Sequence, residues 1–257
     1  MKEVVGEQYS MRDSRAQTAQ DHKFAEEMGA YFARSIGTNM DKLRNFCKYV
    51  PRQTLSSFLA KNAIFQQVVS VHGHIIECGV FLGGGLMTWA QLSAIYEPVN
   101  HIRRVVGFDT FTGFAGMSDR DKGDNLPHAH QGGLATNAYE DLRECMRLYD
   151  LNRPVGHIPR VEIEVGDAMK TIPAYLQQNP HVVVAMLYLD FDVYEPTKLA
   201  IETFLPRMAK GAVLAFDELD QAAWPGETLA VLETVGLRNL RIQRFPYMPQ
   251  LSYAVLG

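Results

Sequence analysis

Cysteine is scarce: Cys47, Cys78 and Cys145 are odd in number and far apart in a chain of 257 residues. That excludes a disulfide framework and a thiolate metal spacing, and it fits a reducing compartment. No apolar run approaches the roughly 18 residues of a membrane span. The opening MKEVVGEQYSMRD lacks the apolar core of a signal peptide. Basic residues are not in excess either, with 25 Lys and Arg against 29 Asp and Glu and a net charge of −4. A surface built to coat nucleic acid is thereby disfavoured. The dinucleotide fingerprint G-x-G-x-x-G is missing as well, because Phe81 stands at its second glycine. A pyrophosphate would be poorly served, which argues against NAD-dependent oxidation or epimerisation. The expectation is a soluble, cytoplasmic chain without nucleic-acid or membrane partners. Its 47% hydrophobic and 21% charged residues are ordinary for a globular protein.

What the chain does have is the stretch Val182 to Thr197, VVVAMLYLDFDVYEPT. Its eight apolar residues, rich in β-branched side chains, predict a strand buried on both faces. Asp190 and Asp192 then fall at the carboxyl end of that strand, where parallel sheets place their chemistry. Carboxylates there are costly unless something pairs with them.

The same rhythm recurs. Strands are predicted at His74–Val80, Arg104–Asp109, Val161–Asp167 and Ala212–Phe216, with helices at about Leu86–Ile95, Thr171–Gln178, Pro196–Leu205 and Gly226–Val235. Leu240–Phe245 and Leu251–Leu256 read as a closing hairpin. Helical spacing also marks Asp21–Arg34, with Asp21 as N-cap, then Met40–Val50 and Thr54–Val71. The fold class is α/β: a Rossmann-like, doubly wound, mostly parallel sheet of seven strands with a C-terminal antiparallel hairpin and an N-terminal helical extension. The domain reading is an extension over residues 1–70, its first twenty a mobile arm, and a main domain over 71–257. Within the latter, residues 112–160 form a long insertion rich in Gly, Asp, His and Pro, read as a lid. It holds one helix, Asn137–Tyr149, opened by an Asn137/Glu140 capping pattern.

Glycines in the turn Glu77-Cys-Gly-Val-Phe-Leu-Gly-Gly-Gly85 let backbone approach a ligand and expose helix N-terminal amides. Glu77 offers a carboxylate to an ammonium group, Asp109 one to ribose hydroxyls, and Asp167 one to an adenine amino group. Three acids ending three successive strands, beside a glycine turn, point to S-adenosylmethionine. The candidate donor contacts are Glu77, Gly79, Phe81, Gly84, Gly85, Asp109, Thr110, Phe111, Asp167 and Ala168. The strands ending in Asp190 and in Asp217-Glu218 are expected to be neighbours about 4.8 Å apart. Their acids would converge on one point, and an all-oxygen set suits Mg²⁺, Mn²⁺ or Ca²⁺ better than zinc.

The motifs ECGVFLGGG, FDTFTGF, GDAMKTIP, YLDFDVYEPT and FDELDQAAWPGET resemble the macrocin O-methyltransferase family within the class I S-adenosylmethionine-dependent methyltransferases. The similarity spans roughly residues 70–255. The resemblance implies an O-methyltransferase, dependent on Mg²⁺ (or Mn²⁺), acting on a sugar hydroxyl and forming homo-oligomers. It implies Asp190, Asp217 and Glu218 as metal ligands, where the family's acidic pair is Asp-Asp, and Asp192 as general base. A base is needed because a sugar hydroxyl is a poor nucleophile until it loses its proton. A small vicinal diol or catechol is an alternative acceptor, and a non-catalytic S-adenosylmethionine-binding protein an alternative class. His128, His130, Tyr49, Arg52 and Trp224 are weaker candidates for the substrate pocket.

Overall fold

The computed structural model describes residues 18–123 and 128–257. The arm expected at the N-terminus lies almost wholly outside the described residues. Two compact units divide the chain, residues 1–57 and 58–257.

In the first unit, helix α1 (Ala19–Arg34) is capped by Thr18 rather than by Asp21. Asp21 instead sits at the third helical position and bonds back to the cap, so the pair forms a reciprocal capping box. The helix expected over Met40–Val50 is shorter, α2 (Asn39–Arg44) followed by a 3₁₀ turn at Phe46–Lys48. Tyr49, weighed as a pocket residue, packs edge-on against Phe32 and accepts a hydrogen bond from the Ser35 hydroxyl.

The second unit is built on seven strands: β1 (His74–Cys78), β2 (Val105–Asp109), β3 (Val161–Val165), β4 (Val184–Leu189), β5 (Met208–Phe216), β6 (Gln243–Phe245) and β7 (Met248–Val255). Their order is β3-β2-β1-β4-β5-β7-β6. The first five are parallel, and β7 runs antiparallel to both its neighbours. The predicted class and the β4–β5 adjacency are therefore as expected. The order reverses between β1 and β4, and a crevice at such a reversal, outside the carboxyl ends of the strands, is where ligands bind.

Alternate residues of each central strand serve opposite faces. Ile75, Met186, Tyr188 and Val213 join Leu86 and Trp89 of α4 (Gly84–Tyr96) and Ile64, Phe65 and Val68 of α3 (Arg52–Val68). Ile76, Leu187, Leu189 and Phe216 join α6 (Ala168–Gln178), α7 (Tyr194–Phe204) and α8 (Pro225–Glu233). With both faces covered, β4 is buried along its whole length, and that is why it reads as an unbroken apolar run.

The described residues of the insertion between β2 and β3 are tied together by backbone hydrogen bonds. Phe114 and Gly132–Gly133 exchange backbone hydrogen bonds, and the Phe111 carbonyl accepts from Thr136 and Asn137. Its helix α5 (Tyr139–Leu151) starts later than expected. Asn137 has φ +53° and is not the cap; the N-cap residue is Ala138, which makes no side-chain capping bond. Tyr149 donates its hydroxyl proton to the Ala90 carbonyl, tying α5 to α4.

Candidate active site

Glu77, near the end of β1, is 1% exposed. Burial pushes its carboxyl up to about 8, with the Lys61 ammonium pulling the other way. Its Oε2 has no hydrogen-bond partner among the described residues. A Cβ on Gly85 would stand 2.1 Å from Glu77 Oε1, so only glycine lets the helix start lie over this carboxylate. Gly84 faces open space. Gly79 has a packing reason: with φ +102°, its missing Cβ would fall 1.9 Å from the Asp190 carbonyl oxygen. The turn between them holds Phe81 at φ +53°.

Asp109 is occupied more fully than expected. Its Oδ2 accepts from the Val80 and Phe81 amides at 2.7 and 2.8 Å, and its Oδ1 from the Phe111 amide at 2.6 Å. About one of a carboxylate's four acceptor positions is left for a ribose hydroxyl. Thr110 closes a local turn by donating to the Gly113 carbonyl, and Phe111 is buried at φ +56°. Asp167 caps α6 through the Met169 amide, and Ala168 is the first helical residue behind it.

Across the reversal, Leu189 pairs with Phe216, so Asp190 and Asp217 follow at matching positions of β4 and β5. Asp190, Asp217 and Glu218 lie near enough for charge to act among them, but among the described residues no three acidic, histidine or cysteine side chains are grouped so as to hold a metal ion. Asp217 Oδ1 accepts the Tyr188 hydroxyl proton. Burial and the nearby Asp217 push the Asp192 carboxyl up to about 8, while the Glu218 side chain draws it down. Asp190, Glu218 and Glu227 are likewise held above the usual carboxylate range, chiefly by burial and by Asp217 or Asp192 nearby. Glu227 accepts the Glu218 amide at 3.2 Å. Oε2 of both Glu218 and Glu227 lacks a hydrogen-bond partner among the described residues. Mutually repelling, desolvated carboxylates with spare oxygens have the donor chemistry of a hard divalent cation, although the side chains as they stand do not close a ligand shell.

Asp192 is 8% exposed and holds φ +62°. It does not cap the following helix. The Tyr194 amide at the start of α7 donates to Asp121 Oδ1 at 2.6 Å, and Asp121 Oδ2 accepts from the Ser118 amide and hydroxyl. A carboxylate from the insertion thus caps the helix that leads out of the acidic strand end. Gly226 permits it, since a Cβ there would lie 2.5 Å from Asp121 Oδ1.

Trp224 is buried against Phe114 and His128. Of the two insertion histidines, His128 is thus packed while His130 is exposed. Arg52 is exposed.

Four residues escaped the sequence reading. Glu227 and Asp121 carry no local signal of their roles. Tyr188 placed a hydroxyl inside a strand buried on both faces, and Lys61 lies three, four and seven positions before Ile64, Phe65 and Val68 on the buried stripe of α3. Both were readable as polar groups needing partners.

A seven-stranded sheet of this order, with a glycine turn and acidic strand ends at its reversal, defines a class I S-adenosylmethionine-dependent methyltransferase. The macrocin O-methyltransferase (TylF) family profile matches residues 8–239. The chain belongs to that family, and it is an O-methyltransferase. It is similar to the solved structure of CalS11, calicheamicin methyltransferase, at 34% identity and a TM-score of 0.90 over 96% of this chain and 97% of that one. An apo structure of CalS11, described as a TDP-rhamnose 3′-O-methyltransferase of calicheamicin biosynthesis, aligns at 32% identity and a TM-score of 0.82, covering 96% and 100%. The O-methyltransferase NovP shares the fold at 20% identity and a TM-score of 0.61, over 79% and 80%. No curated protein sequence matches the chain.

Proposed function

We propose that this enzyme transfers a methyl group from S-adenosylmethionine to a sugar hydroxyl in the biosynthesis of a glycosylated natural product, with Mg²⁺ or Mn²⁺ as a second cofactor. The observation that carries the donor reading is Glu77: a buried carboxylate with an unpartnered oxygen, under a glycine-framed helix start, at the sheet reversal. An ammonium group is the partner such an oxygen lacks. Gly84 and Gly85 admit the donor's amino-acid end, Asp109 offers its remaining acceptor position to the ribose, and Asp167 with Ala168 borders the base. Phe81, Thr110 and Phe111 shape the wall between them. A tightly related pair of structures whose acceptor is a TDP-linked sugar supports the sugar reading.

Asp192 is proposed as the base. It is buried, it is spared from capping α7, and a carboxylate in that place takes the hydroxyl proton as the oxygen attacks in line. Asp190, Asp217 and Glu218 would hold the cation, which when bound supplies charge that makes an adjacent hydroxyl more acidic. Phe114 and His128 of the insertion pack against Trp224, which lies between β5 and α8.

Calorimetry with S-adenosylmethionine, and mass spectrometry after incubation with labelled donor, Mg²⁺ and a panel of TDP-sugars and catechols, test this reading. Label on a TDP-sugar is expected. Label only on a catechol would replace the acceptor class, and absence of donor binding would remove the donor assignment.

A further inference from the structure

A buried lysine next to this site has no place in the mechanism above. Lys61, on the inward stripe of α3, is 8% exposed. Its Nζ lies 4.1 Å from the centroid of the Tyr188 ring and 5.3 Å from that of Trp89. It donates to the Tyr188 hydroxyl oxygen at 2.8 Å. Tyr188 is itself fully buried, one residue from the carboxyl end of β4, and donates to Asp217 Oδ1. The direction of this chain is forced. An ammonium has only donors, so the tyrosine oxygen must accept from it, and the single phenolic proton is left for Asp217. Trp89 meets Tyr188 edge-on at 5.4 Å and holds the ring in one orientation.

We infer that Lys61 is a positioning residue for the acidic strand ends: through the Tyr188 hydroxyl it fixes which oxygen of Asp217 is tied back to the sheet and which remains for a ligand. Three observations support the inference. The chain crosses from a helix to two different strands, so no local turn explains it. Its ammonium lies close enough to Glu77 and Asp190 for its charge to act on both, making it a counter-charge shared by the donor side and the metal side. And leaving any one member unpaired in so dry a place costs free energy that a surface pair would not. The inference rests on the reading of Asp217 as a ligand, and it extends that reading to residues that would not themselves touch donor, cation or acceptor.

The test uses the full chain with tyrosine labelled with carbon-13 at the hydroxyl-bearing ring carbon, the Tyr188 signal being assigned by its loss in Tyr188→Phe. Lys61→Met and Asp217→Asn should each displace that signal, because each removes one of the two bonds to the hydroxyl. In parallel, Mn²⁺ binding is followed by electron paramagnetic resonance in the presence of S-adenosylhomocysteine. Lys61→Met and Tyr188→Phe should weaken Mn²⁺ by about 10–100-fold, the usual cost of losing a partner behind a ligand. The double variant should be no weaker than Tyr188→Phe alone, since Lys61 acts through that hydroxyl. Lys61→Gln retains an N–H donor and should recover part of the affinity; it also serves if Lys61→Met does not fold. An unmoved Tyr188 signal in the lysine variants, or wild-type Mn²⁺ affinity in them, would overturn the inference. Should the wild type bind S-adenosylhomocysteine but no Mn²⁺, the metal reading fails by itself. The Tyr188 signal then decides alone: movement in both Lys61→Met and Asp217→Asn supports the relay, and movement in only one refutes it.

Discussion

Glu77, the proposed donor contact, shows how a buried carboxyl with an unpartnered oxygen bears on stability. Its carboxyl is raised from 4.5 to about 8 by burial. Between those values the folded chain holds a proton that the unfolded chain releases, so the stability of the ligand-free protein falls as pH rises through that window and levels off above it. Glu77→Gln should flatten this part of the profile, by at most about 1.4 kcal/mol for each pH unit. It should raise the melting temperature at pH 8 and weaken S-adenosylmethionine by about 10–100-fold, the worth of a charged hydrogen bond of roughly 1.5–3 kcal/mol. Thermal melts across pH and calorimetry with the donor check both halves. A variant that loses stability at pH 8 yet keeps affinity would show that Glu77 serves the fold alone. Asp192 carries a second prediction at this scale. Asparagine tolerates the left-handed backbone that Asp192 adopts at φ +62°, so Asp192→Asn should still fold and bind S-adenosylmethionine. Turnover, measured on the acceptor that the labelled-donor screen identifies, should fall by about 10²–10⁴-fold.

The elements themselves were largely legible, because the central strands announce their burial. The apolar run before Asp190 is what a strand covered on both faces requires, and the β4 that results is buried throughout. The glycine turn after β1 was equally plain, although its glycines answer to Asp190 and Glu77 within the chain as much as to a ligand. What could not be read were partnerships between residues far apart in sequence. Asp121 and Tyr194, or Lys61, Tyr188 and Asp217, meet only because the sheet order brings them together. The acidic strand ends show the same division: the β4–β5 adjacency was readable, but the hydrogen bond from Tyr188 to Asp217 was not. Local capping was misjudged by a few residues at α1, where Thr18 outranks Asp21. The cap on α7 yields a prediction for this scale. Asp121→Ala removes the acceptor of a buried amide and should cost about 1–2 kcal/mol in urea unfolding. Equal stability would mean that the insertion does not clamp the start of α7.

For the whole molecule, the sheet reversal sets the proposed donor and acceptor sides next to one another. Glu77 leaves β1 on one side of it, Asp190 and Asp217 leave β4 and β5 on the other, and the insertion spans from α4 to α7 above them. Among the described residues no helix is long and apolar enough to cross a membrane. The two sides should respond to mutation separately. Calorimetric titration of Asp190→Ala beside wild type, first with S-adenosylmethionine and then with Mn²⁺, tests that division most directly. The expected result is donor affinity close to wild type together with loss of the metal isotherm. Metal binding undiminished in Asp190→Ala, or donor binding lost along with it, would contradict it.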